Sequence, residues 1–177
     1  MSVTHLGDYR QFRERLASAS SVAIMGPGLI GCEFANDLAA RGFGVDCFGP
    51  DPGPLSTLLP EAAGRALEDA LTETGVRFHL GTTAARIDAV AKGVSLTLDT
   101  GGRIDADMVL SAVGLRPDTR LAADSGLTVN RGIVTDRYLR TSAPDIYALG
   151  DCSETDGLNM PYVMPIMHGA RALARTL

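Results

Sequence analysis

Apolar and polar positions follow three successive patterns along the first part of the chain. Val22 to Met25 is a short apolar run that breaks into three spaced glycines, Gly26, Gly28 and Gly31, and from Leu29 onward Ile30, Phe34 and Leu38 recur every fourth residue with Ala35 and Ala39 beside them. The change of period predicts a strand, a tight turn and a helix. That helix stops at Gly42, with Arg41 in its last turn, where a cation suits the C-terminal dipole. A second strand follows at Val45 to Phe48. After the proline-glycine stretch "GPDPGPLSTLLPE", Ala63, Leu67 and Leu71 mark a helix from Pro60 to Thr74 that Gly75 closes, and "VRFHLG" is a third strand. A short amphipathic helix over 8–18, with Tyr9, Phe12 and Leu16 on one face, leads into this β-α-β-α-β series.

The period then shortens to two. "AARIDAVAKG", "VSLTLDTGG" and "RIDADMVLSAVG" alternate, with turns at Lys92-Gly93 and Thr100-Gly101-Gly102, which predicts an antiparallel meander followed by a buried strand from Met108 to Val113. Strands at Gly132 to Val134 and Asp145 to Leu149 and a closing helix from Pro165 to Leu177 are expected beyond it. Pro161, Pro165, Met160, Met164 and Met167 around the start of that helix read as packing residues. The fold class is therefore α/β: a Rossmann-like, three-layer domain carrying an antiparallel meander, with part of a second domain after it.

The glycines add chemistry to this outline. Gly26, Gly28 and Gly31 form G-x-G-x-x-G directly between strand and helix. In a dinucleotide-binding unit the first glycine permits the turn, the second lets a pyrophosphate reach the backbone, and the third lets helix and strand pack closely. The phosphates lie on the N–H groups at the helix start, here around Leu29 and Ile30. A glycine-rich turn in an ordinary βαβ unit is the alternative, since 20 of the 177 residues are glycine. Such units usually end the second strand with an acid that binds the ribose 2'-hydroxyl. Gly49 stands there, and the nearest acid is Asp51, taken as the ribose ligand. No arginine follows closely to clasp a 2'-phosphate, so NADH is expected over NADPH.

Composition excludes several classes. A net charge of -5 without a basic stripe argues against nucleic acid, and 45% hydrophobic residues suffice for a core. Cys32, Cys47 and Cys152 form no C-x-x-C, and the charged N-terminus lacks the apolar core of an export signal, so a reducing cytoplasm is the expected compartment. No apolar run reaches the roughly twenty residues of a membrane span. His79 and His168 have no evident carboxylate partner and are taken as structural, and the scattered histidines and cysteines make no metal set.

Two later segments carry a resemblance. "VLSAVGLRPDT", with A-x-G-x-x-P over Ala112 to Pro117, and "LRTSAPDIYALGDC" resemble in order and spacing the two-dinucleotide flavoprotein reductases of the pyridine nucleotide-disulfide oxidoreductase superfamily. Those proteins carry one glycine fingerprint for FAD and a second for NAD(P)H. The fingerprint here has the spacing of the second, so the resemblance implies nicotinamide dinucleotide at Gly26 to Gly31. "GLIGCEFANDL", "NRGIVTDRYLRTS" and "YALGDC" are most similar to the rubredoxin reductase branch.

The resemblance implies NADH-to-FAD hydride transfer, with electrons passing on to rubredoxin or another small redox protein, and no nucleophile. Nitrite, ferredoxin and coenzyme A-disulfide reductases share the skeleton and stay open, as does a module that binds NADH and transfers nothing. Implied site residues are Gly114 in the A-x-G-x-x-P segment, Glu33 near the flavin and nicotinamide rings, Asp151 on the flavin ribityl hydroxyls, and Val163, whose backbone N–H faces the flavin ring. For Glu33, a carboxylate simply suited to a helix N-terminus is the alternative. The expected division is 1–20 leader helix and linker, 21–117 NAD(H) domain, and 118–177 the C-terminal portion of an incomplete FAD domain, the chain being a piece of a longer reductase that is inactive alone.

Overall fold

The segments with a helical or strand period form elements largely where the pattern places them. In the computed structural model, which describes residues 1–177, they run α1 (Leu6–Leu16), β1 (Ser21–Met25), α2 (Leu29–Ala39), β2 (Gly44–Gly49), α3 (Glu61–Glu73), β3 (Val76–Leu80), β4 (Ala84–Ala89), β5 (Val94–Leu98), β6 (Arg103–Ala106) and β7 (Met108–Ser111). α1 starts earlier than the period suggests because His5 caps it, Nδ1 accepting the Asp8 N–H at 3.2 Å. The chain divides into two units, Met1–Gly114 and Leu115–Leu177, and α1 lies within the first.

In the first unit β3, β2, β1 and β7 form a parallel sheet in that order. β1 pairs with β2 from Ser21↔Gly44 to Met25↔Phe48, and with β7 from Val22↔Met108 to Met25↔Ser111. Parallel sheets must be covered on both faces, and both faces here are apolar. Val22, Ile24, Val45, Cys47, Val76 and Leu110 cluster with Cys32, Ala35 and Leu38 of α2 and Phe12 of α1. On the other face Ala23 and Phe48 meet Leu96, Leu98, Ile104 and Ala106 of the antiparallel meander β4-β5-β6, which stands where a crossover helix would otherwise lie. Strand order reverses at β1, whose successor β2 lies on one side while β7 lies on the other. The carboxyl ends of β1 and β7 therefore border a topological switch point, the place where open α/β sheets bind ligands.

The second unit holds α4 (Arg120–Asp124), β8 (Ile133–Thr135), β9 (Ser153–Thr155) and α5 (Val163–Leu173), with β8 and β9 paired in parallel. One sequence expectation fails here, and one strand has no counterpart in the sequence pattern. Asp145 to Leu149 is no strand; it makes one isolated bridge, Arg140↔Tyr147, and Asp145 takes a left-handed φ of 59° that breaks an extended run. β9 is instead "SET", which has no apolar alternation to reveal it and is fixed by its partner. No helix is long and apolar enough to cross a membrane.

Candidate functional site

The site begins where β1 turns into α2. Gly26 has φ 107°, and a Cβ there would lie 2.6 Å from the Ala112 carbonyl oxygen, so this turn admits only glycine. A Cβ on Gly31 would collide with the Gly26 carbonyl oxygen, which is how closely helix and turn pack. Gly28 differs from both. It caps α2 with ordinary φ and ψ of -79° and -173°, and a Cβ there would meet nothing within 4 Å. Nothing in the protein requires glycine at that position, and the open space is the cradle an approaching pyrophosphate needs. The first backbone N–H of α2 bonded within the helix is that of Cys32, to the Gly28 carbonyl at 2.9 Å. The N–H groups of Leu29, Ile30 and Gly31 are thus left free, and the helix dipole makes that end attractive to anions.

Loops from the neighbouring strand tips fix the surroundings. Gly26 N–H bonds to the Phe48 carbonyl at 2.8 Å, and Ala112 N–H to the Met25 carbonyl at 2.7 Å, which joins the glycine turn to the ends of β2 and β7. After β2, the Asp51 carbonyl accepts Gly81 N–H at 3.0 Å, and its Oδ1 accepts the Ser56 hydroxyl at 3.0 Å. The loop after β3 is held by Asp99, which accepts Thr82 Oγ1 at 2.5 Å, Thr83 Oγ1 at 2.8 Å and Thr83 N–H at 3.1 Å. The Thr82 and Thr83 hydroxyls, then the Thr83 amide, bring the Asp99 carboxyl down to about 2. Gly114 follows β7 with φ 98° and open space around its Cα. Gly26, Gly28, Leu29, Ile30, Gly31 and Asp51 are thus tied to one set of strand ends.

Glu33 is exposed and is the fifth residue of α2, beyond the first turn. Glu33 thus lies one position past the turn over which the helix dipole acts most strongly. In the second unit the exposed Asp151 has its carbonyl bonded to Asn159 Nδ2 at 2.8 Å and leaves its carboxylate without a protein donor. Val163 opens α5, whose first intrahelical bond is Ile166 N–H to the Tyr162 carbonyl at 3.2 Å, so the Val163 N–H is free. These are the donor and acceptor types a flavin's ring and ribityl chain require. Met160, Met164 and Met167 are 45%, 62% and 44% exposed, so they do not pack as their apolar character suggests.

The histidine expectation is corrected in one case. His79 has a carboxylate partner: its Nε2 lies 2.8 Å from Asp46 Oδ1, and Arg77 grips the same carboxylate through Nε at 3.0 Å and a second nitrogen at 2.5 Å. The β2-β3 register pairs Asp46 with Arg77 and Phe48 with His79, which brings the three side chains onto one face. Burial alone would raise the Asp46 carboxyl; the hydrogen bonds from Arg77 and His79 and their charge overcome it and set the value below normal. Only a known strand register exposes this cluster. Pro27 is fully buried inside the glycine turn, and its position between two glycines carries no chemical signal in the sequence. Burial pushes the Cys32 thiol up to about 11 and, with the charge of Cys32, the Cys47 thiol up to about 12, so neither is a nucleophile. His168 is exposed on α5, and no group of three or more His, Cys, Asp or Glu gathers that could hold a metal.

Comparison with known proteins adds an independent line. Residues 2–172 match a family described as pyridine nucleotide-disulphide oxidoreductase. The rubredoxin-NAD(+) reductase of Alcanivorax borkumensis is 50% identical over 177 residues, covering 99% of this chain and 46% of that protein. The nitric oxide reductase FlRd-NAD(+) reductase of Citrobacter koseri is 41% identical over 170 residues, covering 96% and 45%. A crystal structure of a ferredoxin reductase from Rhodopseudomonas palustris superposes with a TM-score of 0.93 at 29% identity, covering 99% of this chain and 45% of that one. The chain spans about half the length of the curated relatives it matches.

Proposed function

Given that the chain belongs to the pyridine nucleotide-disulphide oxidoreductase family, we propose that it is the NADH-binding part of a cytoplasmic flavoprotein reductase that passes electrons to rubredoxin. The observation that carries this reading is the contrast among the three glycines. Gly26 and Gly31 are demanded by protein contacts, whereas Gly28 faces open space beside the free N–H groups of α2.

When bound, NADH would supply hydride-donor chemistry and FAD the means to turn it into single-electron transfer. The chain's own residues position and hold. Leu29, Ile30 and Gly31 donate backbone N–H groups to the diphosphate, and Gly28 leaves room for it. Asp51 accepts from the adenosine ribose, and Gly114 keeps the end of β7 free of a side chain. Glu33, exposed on α2, would offer its carboxylate to the nicotinamide ring. Asp151 accepts from the ribityl hydroxyls, and the Val163 N–H donates to the flavin ring. The likeness to the Alcanivorax borkumensis rubredoxin-NAD(+) reductase favours rubredoxin as acceptor. A module that binds NADH and transfers nothing would have no use for flavin-site residues, which the resemblance places at Asp151 and Val163.

Calorimetric titration of the chain tests the reading: NADH binds, NADPH binds more weakly, and the isolated chain is colourless. If neither coenzyme binds, the glycine-loop assignment is wrong. In the longer reductase, failure of rubredoxin to accept electrons while NADH still reduces the flavin would reject only the choice of acceptor.

A further inference from the structure

Gly49 ends β2 at the position where a dinucleotide unit usually carries its ribose-binding acid. A Cβ built on Gly49 would run into Cδ of Pro27, with Cγ at 3.1 Å and N at 3.6 Å. The proline ring has no room to yield, because it is fully buried. Its carbonyl is also engaged, accepting the Leu55 N–H at 2.9 Å and the Cys32 thiol at 3.4 Å. Pro27 therefore fixes both ends of the loop after β2. Its ring occupies the side-chain space of Gly49, and its carbonyl anchors Leu55, which is held at a left-handed φ of 53°.

The anchored loop holds one carboxylate. Asp51 is fastened through its carbonyl to Gly81 N–H and through Oδ1 to the Ser56 hydroxyl, each at 3.0 Å, while Oδ2 has no protein donor. Thr82 N–H bonds to the Gly49 carbonyl at 3.0 Å, which ties the loop after β3 to the same strand end.

We propose that Pro27 closes the strand end to an acidic side chain, and that recognition of the coenzyme's adenosine 2'-hydroxyl has moved to Asp51, with Ser56 as its positioning residue. This rests on the reading of the glycine loop as a dinucleotide site. Oδ2 of Asp51 accepts the 2'-hydroxyl proton. A 2'-phosphate would set two anions together, and the loop from Pro50 to Ser56 contains no lysine or arginine to offset them. Discrimination against NADPH thus resides in the loop and is inherited from the proline.

The test is calorimetric titration of the 177-residue chain and its variants with NADH and with NADPH, each variant first checked by thermal melting. Asp51→Asn is expected to weaken NADH about tenfold, the loss of one charge-assisted hydrogen bond, without weakening NADPH. Ser56→Ala lowers the same preference by a smaller factor. Gly49→Asp abolishes NADH binding while Pro27 is present. In the triple variant Pro27→Ala/Gly49→Asp/Asp51→Asn, the strand-end acid has room and restores the preference for NADH. An unchanged NADH-to-NADPH ratio in Asp51→Asn, or normal NADH binding by Gly49→Asp beside an intact Pro27, overturns the inference while leaving the glycine-loop reading intact. Absence of binding by the unaltered chain overturns both.

Discussion

Substituting alanine at Gly28 and, separately, at Gly31 distinguishes a glycine kept for a ligand from one kept for the fold. Gly28 has φ and ψ open to any residue, and its added methyl meets nothing within 4 Å. The cost to stability is the lost N-cap preference of glycine over alanine, about 0.5–1 kcal/mol. The same methyl stands where the diphosphate comes closest to the backbone. Displacing the diphosphate weakens one or two charge-assisted hydrogen bonds, each worth about 1.5–3 kcal/mol, so NADH affinity falls about tenfold to a hundredfold or more. Gly31→Ala acts in the opposite sense. Its methyl collides with the Gly26 carbonyl oxygen and lies 3.5 Å from Ala112 Cβ. Backbone must move, which costs about 1–3 kcal/mol of stability as overpacking does. Calorimetry with NADH and urea denaturation of both variants separate the effects. Wild-type NADH affinity in Gly28→Ala, or a loss of binding matched by an equal loss of stability, would refute the reasoning.

Asp46→Asn removes the charge that Arg77 and His79 share. Arg77 is 61% exposed, so the penalty of a fully buried pair is discounted to about 1–2 kcal/mol in urea denaturation, and a change below about 0.5 would show the cluster to be idle. Asp107 accepts the Ser20 N–H at 2.7 Å and the Ser20 hydroxyl at 2.8 Å, and it and Asp99 both have folded-state carboxyl values of about 2, below the unfolded value, so the unfolded chain binds more protons between the two. Their contribution is complete above about pH 4 and is lost as pH falls through about 2. Thermal melts across that window should show the fall, and Asp99→Asn and Asp107→Asn should flatten it; an unaltered slope contradicts the assignment. Because Cys32 and Cys47 are buried and protonated while Cys152 is half-buried, a thiol reagent should modify Cys152 first in the native chain, and equal rates at all three would be inconsistent with the packing.

What could be read from the sequence divides along physical lines. Elements that bury a regular face inside the first unit, such as α2 with Cys32, Ala35 and Leu38, were visible as periodicity because the period is what burial selects. The glycine fingerprint was legible for a similar reason: each glycine answers a steric demand at a fixed spacing. Asp46, Arg77 and His79 were not legible, since thirty-one and thirty-three residues separate the acid from its partners and only the β2-β3 register aligns them. Pro27 was hidden in another way. Its importance lies in the space it takes from Gly49, a relation between two residues that neither shows alone. The second unit is the least legible. Tyr147 to Leu149 is apolar enough for a strand, but a strand exists only with a ladder partner, and there the segment has a single bridge.

That same unit yields a prediction about local stability. α5 has eleven residues, shorter than helices that persist alone in water, and none of them is buried. Its contact is a narrow stripe of half-buried positions, Pro165, Ile166, Gly169, Ala170 and Leu173. At Gly169 an added Cβ would lie 2.7 Å from Leu149 Cδ1, so the helix rests on that side chain through a glycine. Little apolar area opposes opening of such a helix. β1 and β2, by contrast, bury Val22, Ala23, Ile24, Val45, Cys47 and Phe48 completely. Hydrogen exchange should therefore find α5 amides opening at a free energy well below that of the β1 and β2 amides, which report global unfolding. Protection in α5 equal to that of β1 would mean that the helix is held by more than this stripe, and would refute the packing account of the second unit.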